Sequence, residues 1–306
     1  MMGARRWTAT GAGWGALAWI FLAWLSAVNR VPIGLPELLF LAAPLIVVPL
    51  GLRLNRTPSL AASLACFLQP LGALMVVASF CLHRGPVSAA WACPWLGVSA
   101  LAGLSGLREI RAGRWGAMED ICTALGHLYL PVGAAWLVIS RLGSAPFGFG
   151  EPIALLTAVH FHYAGFAASL IAGESARMAR RSGTRPRVLE TALLAGIAAG
   201  PALVAAGFMV SEAVRLAATI ILGGCLIGLA IQLLARLPLV RPPLPRGLLM
   251  VSSACVAAGM LLALAYAFGE FSHRELVGIP QMVRLHGAVN GLGFAVGGLL
   301  AFNLMD

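Results

Sequence analysis

EPIALLTAVHFHYAGFAASLIAG, residues 151–173, is an apolar run long enough to cross a bilayer, and near its middle it carries His160, His162 and Tyr163. A membrane-spanning helix needs about 20 mostly apolar residues at 1.5 Å rise each. Ionisable groups at that depth are costly, so they mark functional positions by default. The run therefore sets both the fold class and the first candidate site.

The rest of the chain repeats the pattern. Of 306 residues, 60% are hydrophobic and only 10% are charged, where a soluble domain carries about 25% charged residues. Mean hydropathy is +0.90. Apolar runs at about 11–28, 37–54, 60–82, 88–107, 118–140, 152–173, 188–208, 214–235, 247–269 and 281–302 predict about ten spans. The fold class is all-α, a polytopic transmembrane helical bundle, with residues 1–306 forming one integral membrane domain. The first run has no convincing small-residue cleavage site and is expected to stay as a helix. Pro44 and Pro49 lie inside the second span and should kink it, leaving carbonyls that neighbours or water must satisfy. The short link VSEAVR (210–215) is the weakest division between spans.

The formal charge is +10, and all 21 basic residues are arginine. Nucleic acid is not the expected partner, because the arginines fall in short gaps between apolar runs. On alternating sides they divide into fifteen, including Arg5, Arg6, Arg114, Arg185 and Arg187, and six, including Arg84, Arg141 and Arg284. The positive-inside rule puts the larger set, and with it both termini, in the cytoplasm. The expected location is the inner (plasma) membrane, multi-pass, with the lipid bilayer as main partner. Glycine pairs four apart, namely Gly11/Gly15, Gly196/Gly200, Gly224/Gly228, Gly287/Gly291 and Gly293/Gly297, predict close helix packing. The six cysteines form no C-x-x-C pair; Cys81 and Cys93 flank a short outer loop, where a disulfide is one option.

Four histidines lie inside spans: His127, His160, His162 and His286. His83 and His273 fall near outer loop ends and are expected to be solvated. Residues two apart on a regular helix point about 200° away from each other, so His160 and His162 serve different neighbours unless the helix is distorted. His160 shares a face with Thr157 and Tyr163. His286 and Asn290, four apart, share a face beside Gly287 and Gly291, and a pairing of the sixth and tenth helices is expected. Glu151 opens the sixth helix and reads first as its cap; Arg284 lies one turn into the tenth on the same side, and a pairing of the two that gates access is the alternative. Glu119 and Asp120 read as caps of the fifth helix, and Glu212 with Arg215 as a local pair.

HFHYAGF (160–166) and LHGAVNGLGF (285–294) resemble the two most distinctive segments of the YndJ-like family of bacterial integral membrane proteins. ELLFLAAPLIVVPLGL (37–52) and YLPVGAAWL (129–137) are similar to further segments, so the resemblance covers roughly residues 37–302. It implies an integral membrane protein whose hallmark polar positions are His160, His162, Tyr163, His286 and Asn290. It supplies no reaction.

Three functions remain in view. The first is a membrane-embedded enzyme in which His160, His162, Tyr163, His286 and Asn290 are catalytic and His127, Thr157, Glu151 and Arg284 bind substrate. Histidine is the usual acid–base group near neutral pH. A small lipophilic substrate, isoprenoid- or quinone-like, would be isomerised or cyclised without a soluble cofactor. Neither a P-loop nor a G-x-G-x-x-G motif is present. No cofactor and no metal site is expected, although a metal or haem held through His160, His162 or His286 stays open. The second is a transporter or exporter of a small lipophilic molecule, for which an acidic residue deep in a span is missing. The third is an accessory subunit of a membrane complex.

Overall fold

The computed structural model describes residues 2–56, 59–112, 117–183 and 188–305, with side chains described from Gly11 onward. Ten helices follow one another: α1 (Met2–Ala27), α2 (Leu35–Arg53), α3 (Leu60–Phe80), α4 (Pro86–Arg111), α5 (Met118–Leu142), α6 (Ile153–Arg181), α7 (Val188–Val210), α8 (Glu212–Leu239), α9 (Pro243–Phe271) and α10 (Ile279–Met305). No strand occurs among the described residues. By length and composition α2 to α10 are each able to cross a membrane, and in α1 the apolar stretch is Gly11–Ala27. Each expected span is thus a helix. Of the arginines used to orient the chain, Arg114, Arg185 and Arg187, and the side chains of Arg5 and Arg6, lie outside the described residues.

The chain forms two compact units, Met1–Gly113 with Ala124–Phe166, and Arg114–Thr123 with Ala167–Asp306. The boundary cuts α5 and α6 internally instead of falling between them.

In the first unit α2 is the buried element, packed by α1, α3 and the first half of α6. Its prolines act as expected. The backbone widens to a π-turn at Ala43–Val47, where Val48 N–H bonds to Ala43 O five residues back. In that register Pro44 cannot serve Leu39 O, and Pro49 cannot serve Pro44 O. Tyr163 Oη donates to Leu39 O at 2.7 Å, and Gln69 Nε2 donates to Pro44 O at 2.6 Å. Trp19 Nε1 donates to Leu38 O at 2.7 Å. A Cβ on Gly15 would meet Leu45 O at 1.8 Å, so only glycine lets α1 lie against this backbone. On α3, Leu60, Leu64, Phe67, Leu71 and Leu74 form an exposed apolar stripe at helical spacing, with Phe67 79% exposed. Such a surface suits lipid.

In the second unit α7, α8, α9 and α10 pack in sequence, each on the next, and the second half of α6 packs on α7 and α10. The sixth and tenth spans do pair there, with Gly298 against Ile171. Ser211 begins α8 by accepting Val214 N–H at 3.2 Å, and this cap makes VSEAVR a true break. Gly196 lies against Cys225, Gly200 against Leu222, Gly228 against Leu193 and Gly293 against Cys255, whereas Gly11 and Gly224 face open space.

The end of α6 corrects the sequence reading, which stopped the span near residue 173. The helix runs on to Arg181 because its charges are paired. Arg177 bridges Glu174 (2.6 Å) and Asp120 (2.8 Å) and donates to Thr123 Oγ1. Arg180 pairs with Glu119 at 2.8 Å. Arg236, from α8, joins Ser175 on α6 to Glu190 on α7, at 2.6 and 2.5 Å. Glu119 and Asp120 are therefore bound to another helix and do more than cap their own. Glu174 and Glu190 are buried acids on spans.

Candidate functional site

The sixth span leaves regular helix at the histidine segment. His160 ends the α-helical part, and Phe161–Ala167 is π-helical, so the regular-helix spacing does not hold beyond that residue. π-turns are rare and frequent at functional sites.

His162 is fully buried. Its Nδ1 lies 2.8 Å from Ala158 O, and its Nε2 3.1 Å from Trp95 Nε1. A carbonyl only accepts and an indole N–H only donates. The ring is therefore the neutral Nδ1–H tautomer, with both nitrogens engaged. Phe40 meets it edge-on, with ring centroids 5.1 Å apart. A Cβ at Gly133 would come 2.6 Å from Nδ1, so α5 must carry glycine there. With the Tyr163 hydroxyl bonded to Leu39, these two hallmark residues hold helices together. The sequence missed Trp95 as the partner, although a tryptophan inside a span has an N–H that must be placed.

The other predicted positions of this unit are more dispersed. His160 is half-buried and edge-on to Phe161, which stacks on Tyr129. Thr157 Oγ1 donates to Ile153 O on its own helix at 2.8 Å. His127 is fully buried and edge-on to Phe166. Glu151 pairs with Arg84 at 3.6 Å. Arg141, counted from the sequence as a loop arginine, is 4% exposed. It donates to Ser88 Oγ and to the carbonyls of Ser79 and Leu82, and lies over the Phe80 ring.

His286 and Asn290 belong to the second unit, where α10 is π-helical over Met282–Gly287 and Val289–Val296. His286 Nδ1 is 2.8 Å from Gly259 O on α9, which fixes the hydrogen on that nitrogen. The basic Nε2 makes no hydrogen bond among the described residues. The Asn290 amide lies 3.2 Å from the same Nδ1, as the shared face predicts; because that nitrogen gives its hydrogen to Gly259 O, it can meet only the amide oxygen of Asn290. The Asn290 amide rests on Gly259, where an added Cβ would clash with it. Arg284, two residues before His286, is exposed. Arg215 pairs with Glu270 on α9 at 3.3 Å, not with Glu212, which faces His273 at 4.0 Å. His83 and His273 are exposed.

Among the described residues no group of three or more His, Cys, Asp or Glu side chains could hold a metal ion. His162 has no nitrogen to offer one. Cys81 and Cys93 are exposed free thiols, as the other four cysteines are free.

Apolar helices with broken, hydrogen-bonded interiors and lipid-suited faces define a polytopic α-helical membrane protein. The sequence matches the YndJ-like protein family over residues 38–294, and the chain belongs to that family. It is 28% identical over 242 residues to the "Uncharacterized membrane protein YndJ" of Bacillus subtilis (strain 168), across 78% of this chain and 42% of that relative. The chain thus spans less than half the length of the relative it matches. No solved structure matches it.

Proposed function

We propose that this protein is a membrane-embedded enzyme that isomerises or cyclises a small lipophilic substrate by acid–base chemistry, with His286 as the acid–base group. The observation that carries this reading is the arrangement of His286, Asn290 and Gly259. A backbone carbonyl holds the imidazole in one tautomer, and its basic nitrogen makes no protein hydrogen bond. That carbonyl would also stabilise the imidazolium formed when Nε2 takes a proton. Beside it, the Asn290 amide would hydrogen-bond a polar group of the substrate. In an isomerisation Nε2 removes a proton from one carbon and the imidazolium returns one to another, so no cofactor or electron acceptor enters. His162 and Tyr163 then position helices, and Glu151 with Arg84 forms an outer-surface contact. We place the protein in the inner (plasma) membrane with both termini cytoplasmic.

The test is protein in nanodiscs supplied with isoprenoid and quinone-like substrates in deuterated water. The enzyme should wash solvent deuterium into the substrate. His286→Gln should lower that rate at least about 100-fold, the lower end of what a general acid–base contributes, with the melting temperature nearly unchanged. Wild-type exchange in His286→Gln would sink the assignment.

A second reading, transport or export, is favoured by α2, α6 and α10 being interrupted by π-turns. It expects substrate movement into sealed proteoliposomes with no chemical change. An accessory-subunit role ranks third, since the short loops leave little surface for docking.

A further inference from the structure

We propose that the loop between α5 and α6 is a membrane-interface anchor, with the Phe147 ring seated where lipid headgroups meet the acyl chains. The proposal concerns the first unit and is independent of the chemistry at His286. Residues 142–150, LGSAPFGFG, hold no ionisable side chain. The α3–α4 turn of the same unit, by contrast, exposes His83 and Arg84. At the tip of the uncharged loop Phe147 is 77% exposed, and Leu142 at its start is exposed too. Phe147 also stands in left-handed backbone, at φ 56° and ψ 20°. That region is uncommon, and for a bulky side chain it is an outlier. Asparagine or aspartate would adopt it with less strain and would suit water better. The loop instead holds an apolar ring outward at a steric cost.

The depth of the loop decides what meets that ring. α4 runs from Pro86 to Arg111 and is apolar enough to cross a membrane. At 1.5 Å per residue, Pro86 lies about 33 Å along it from Arg108. The hydrocarbon core is about 30 Å thick, and the bilayer with its headgroups about 40–45 Å. With Arg108 in one headgroup layer, Pro86 is therefore in the other. Both ends of the α5–α6 loop are tied to that level. Arg141 O accepts Gly85 N–H at 2.8 Å, and Glu151 pairs with Arg84 at 3.6 Å. Between them Gly148 N–H bonds to Ala145 O and Phe149 N–H to Pro146 O, so the tip is a tight turn that stays near its ends. Aromatic side chains favour this layer of the bilayer, and the turn lacks the charges that would hold it in water. Leu82 and Val87 are exposed at the same level, which continues the lipid-suited surface of the helices up to the loop.

The experiment reads the depth of a nitroxide on Ala145→Cys in the full chain in phosphatidylcholine nanodiscs, with the two exposed thiols removed by Cys81→Ser and Cys93→Ser. Ala145 is exposed and its replacement leaves Phe147 in place. Collisions with oxygen, which concentrates in lipid, are compared with collisions with a water-soluble nickel chelate. The label should lie within about 5–10 Å of the headgroup–acyl boundary on the lipid side, the depth of interfacial apolar groups. A label on His83→Cys should meet nickel several-fold more often. Phe147→Asp should then move the label at 145 into water and raise its nickel collisions to the level at 83. Aspartate tolerates left-handed backbone, so the turn survives the change, and an unaltered melting temperature verifies this. Phe147→Asn, which adds no charge, should move the label the same way by a smaller amount. Nickel collisions at 145 as frequent as at 83 with Phe147 present would overturn the proposal and leave the ring to a protein partner. A label that keeps its depth in both Phe147→Asp and Phe147→Asn would overturn it as well, since the ring would then not be the anchor.

Discussion

At the scale of single residues, the histidine segment separates into groups that are used up and groups that are available. His162 and Tyr163 are neighbours in sequence, and each is committed to another helix. Tyr163→Phe removes the hydroxyl that donates to Leu39 O and leaves a buried carbonyl open, at a cost of about 1–3 kcal/mol. Thermal unfolding in detergent should show that loss. Trp95→Phe should cost a similar amount through His162 Nε2. Neither change touches His286, so any activity at 37 °C should persist while the protein is folded. Residue types and depth were legible in the sequence: all the hallmark positions lie inside helices. Roles were not, because Trp95 and His162 are 67 residues apart and Tyr163 and Leu39 are 124 apart. No local pattern carries such pairings.

At the scale of elements, hydropathy located every span and proline located the break in α2, because both are local properties. The π-turns of α6 and α10 contain no proline, and face arguments built on 3.6 residues per turn do not reach them. Close approaches were readable in part, since Gly15 and Gly293 sit at contacts while Gly11 and Gly224 do not. Gly15→Ala should push α1 away from Leu45 and lower the melting temperature by several degrees. Gly259→Ala is expected to displace the Asn290 amide, lowering deuterium exchange by an order of magnitude or more while leaving α2 untouched. If exchange survives Gly259→Ala, the Asn290 amide is not part of the site.

At the scale of the whole molecule, the ends of α6, α7 and α8 are tied by buried ion pairs that the sequence reading had taken for caps and loop charges. Removing one partner of a buried pair strands the other, at about 3–5 kcal/mol. Arg236→Gln should therefore destabilise strongly by leaving Glu190 without its cation, and Arg236→Gln with Glu190→Gln should recover most of the loss in thermal unfolding. The orientation has its own test. A fluorescent protein at the C-terminus should fluoresce and a periplasmic phosphatase reporter there should be silent; the reverse would invert the topology.

The break in α2 also has a consequence for biogenesis. Tyr163, which satisfies Leu39 O, is made 124 residues later. At about 5–20 residues per second, synthesis takes roughly ten seconds to reach it. During that interval α2 carries an exposed peptide carbonyl that hydrocarbon cannot solvate. The second helix must therefore wait at the insertion machinery or at the wet interface until the sixth arrives. Ribosome-bound chains truncated before residue 163 should show α2 accessible to water-borne reagents, and longer ones should show it protected.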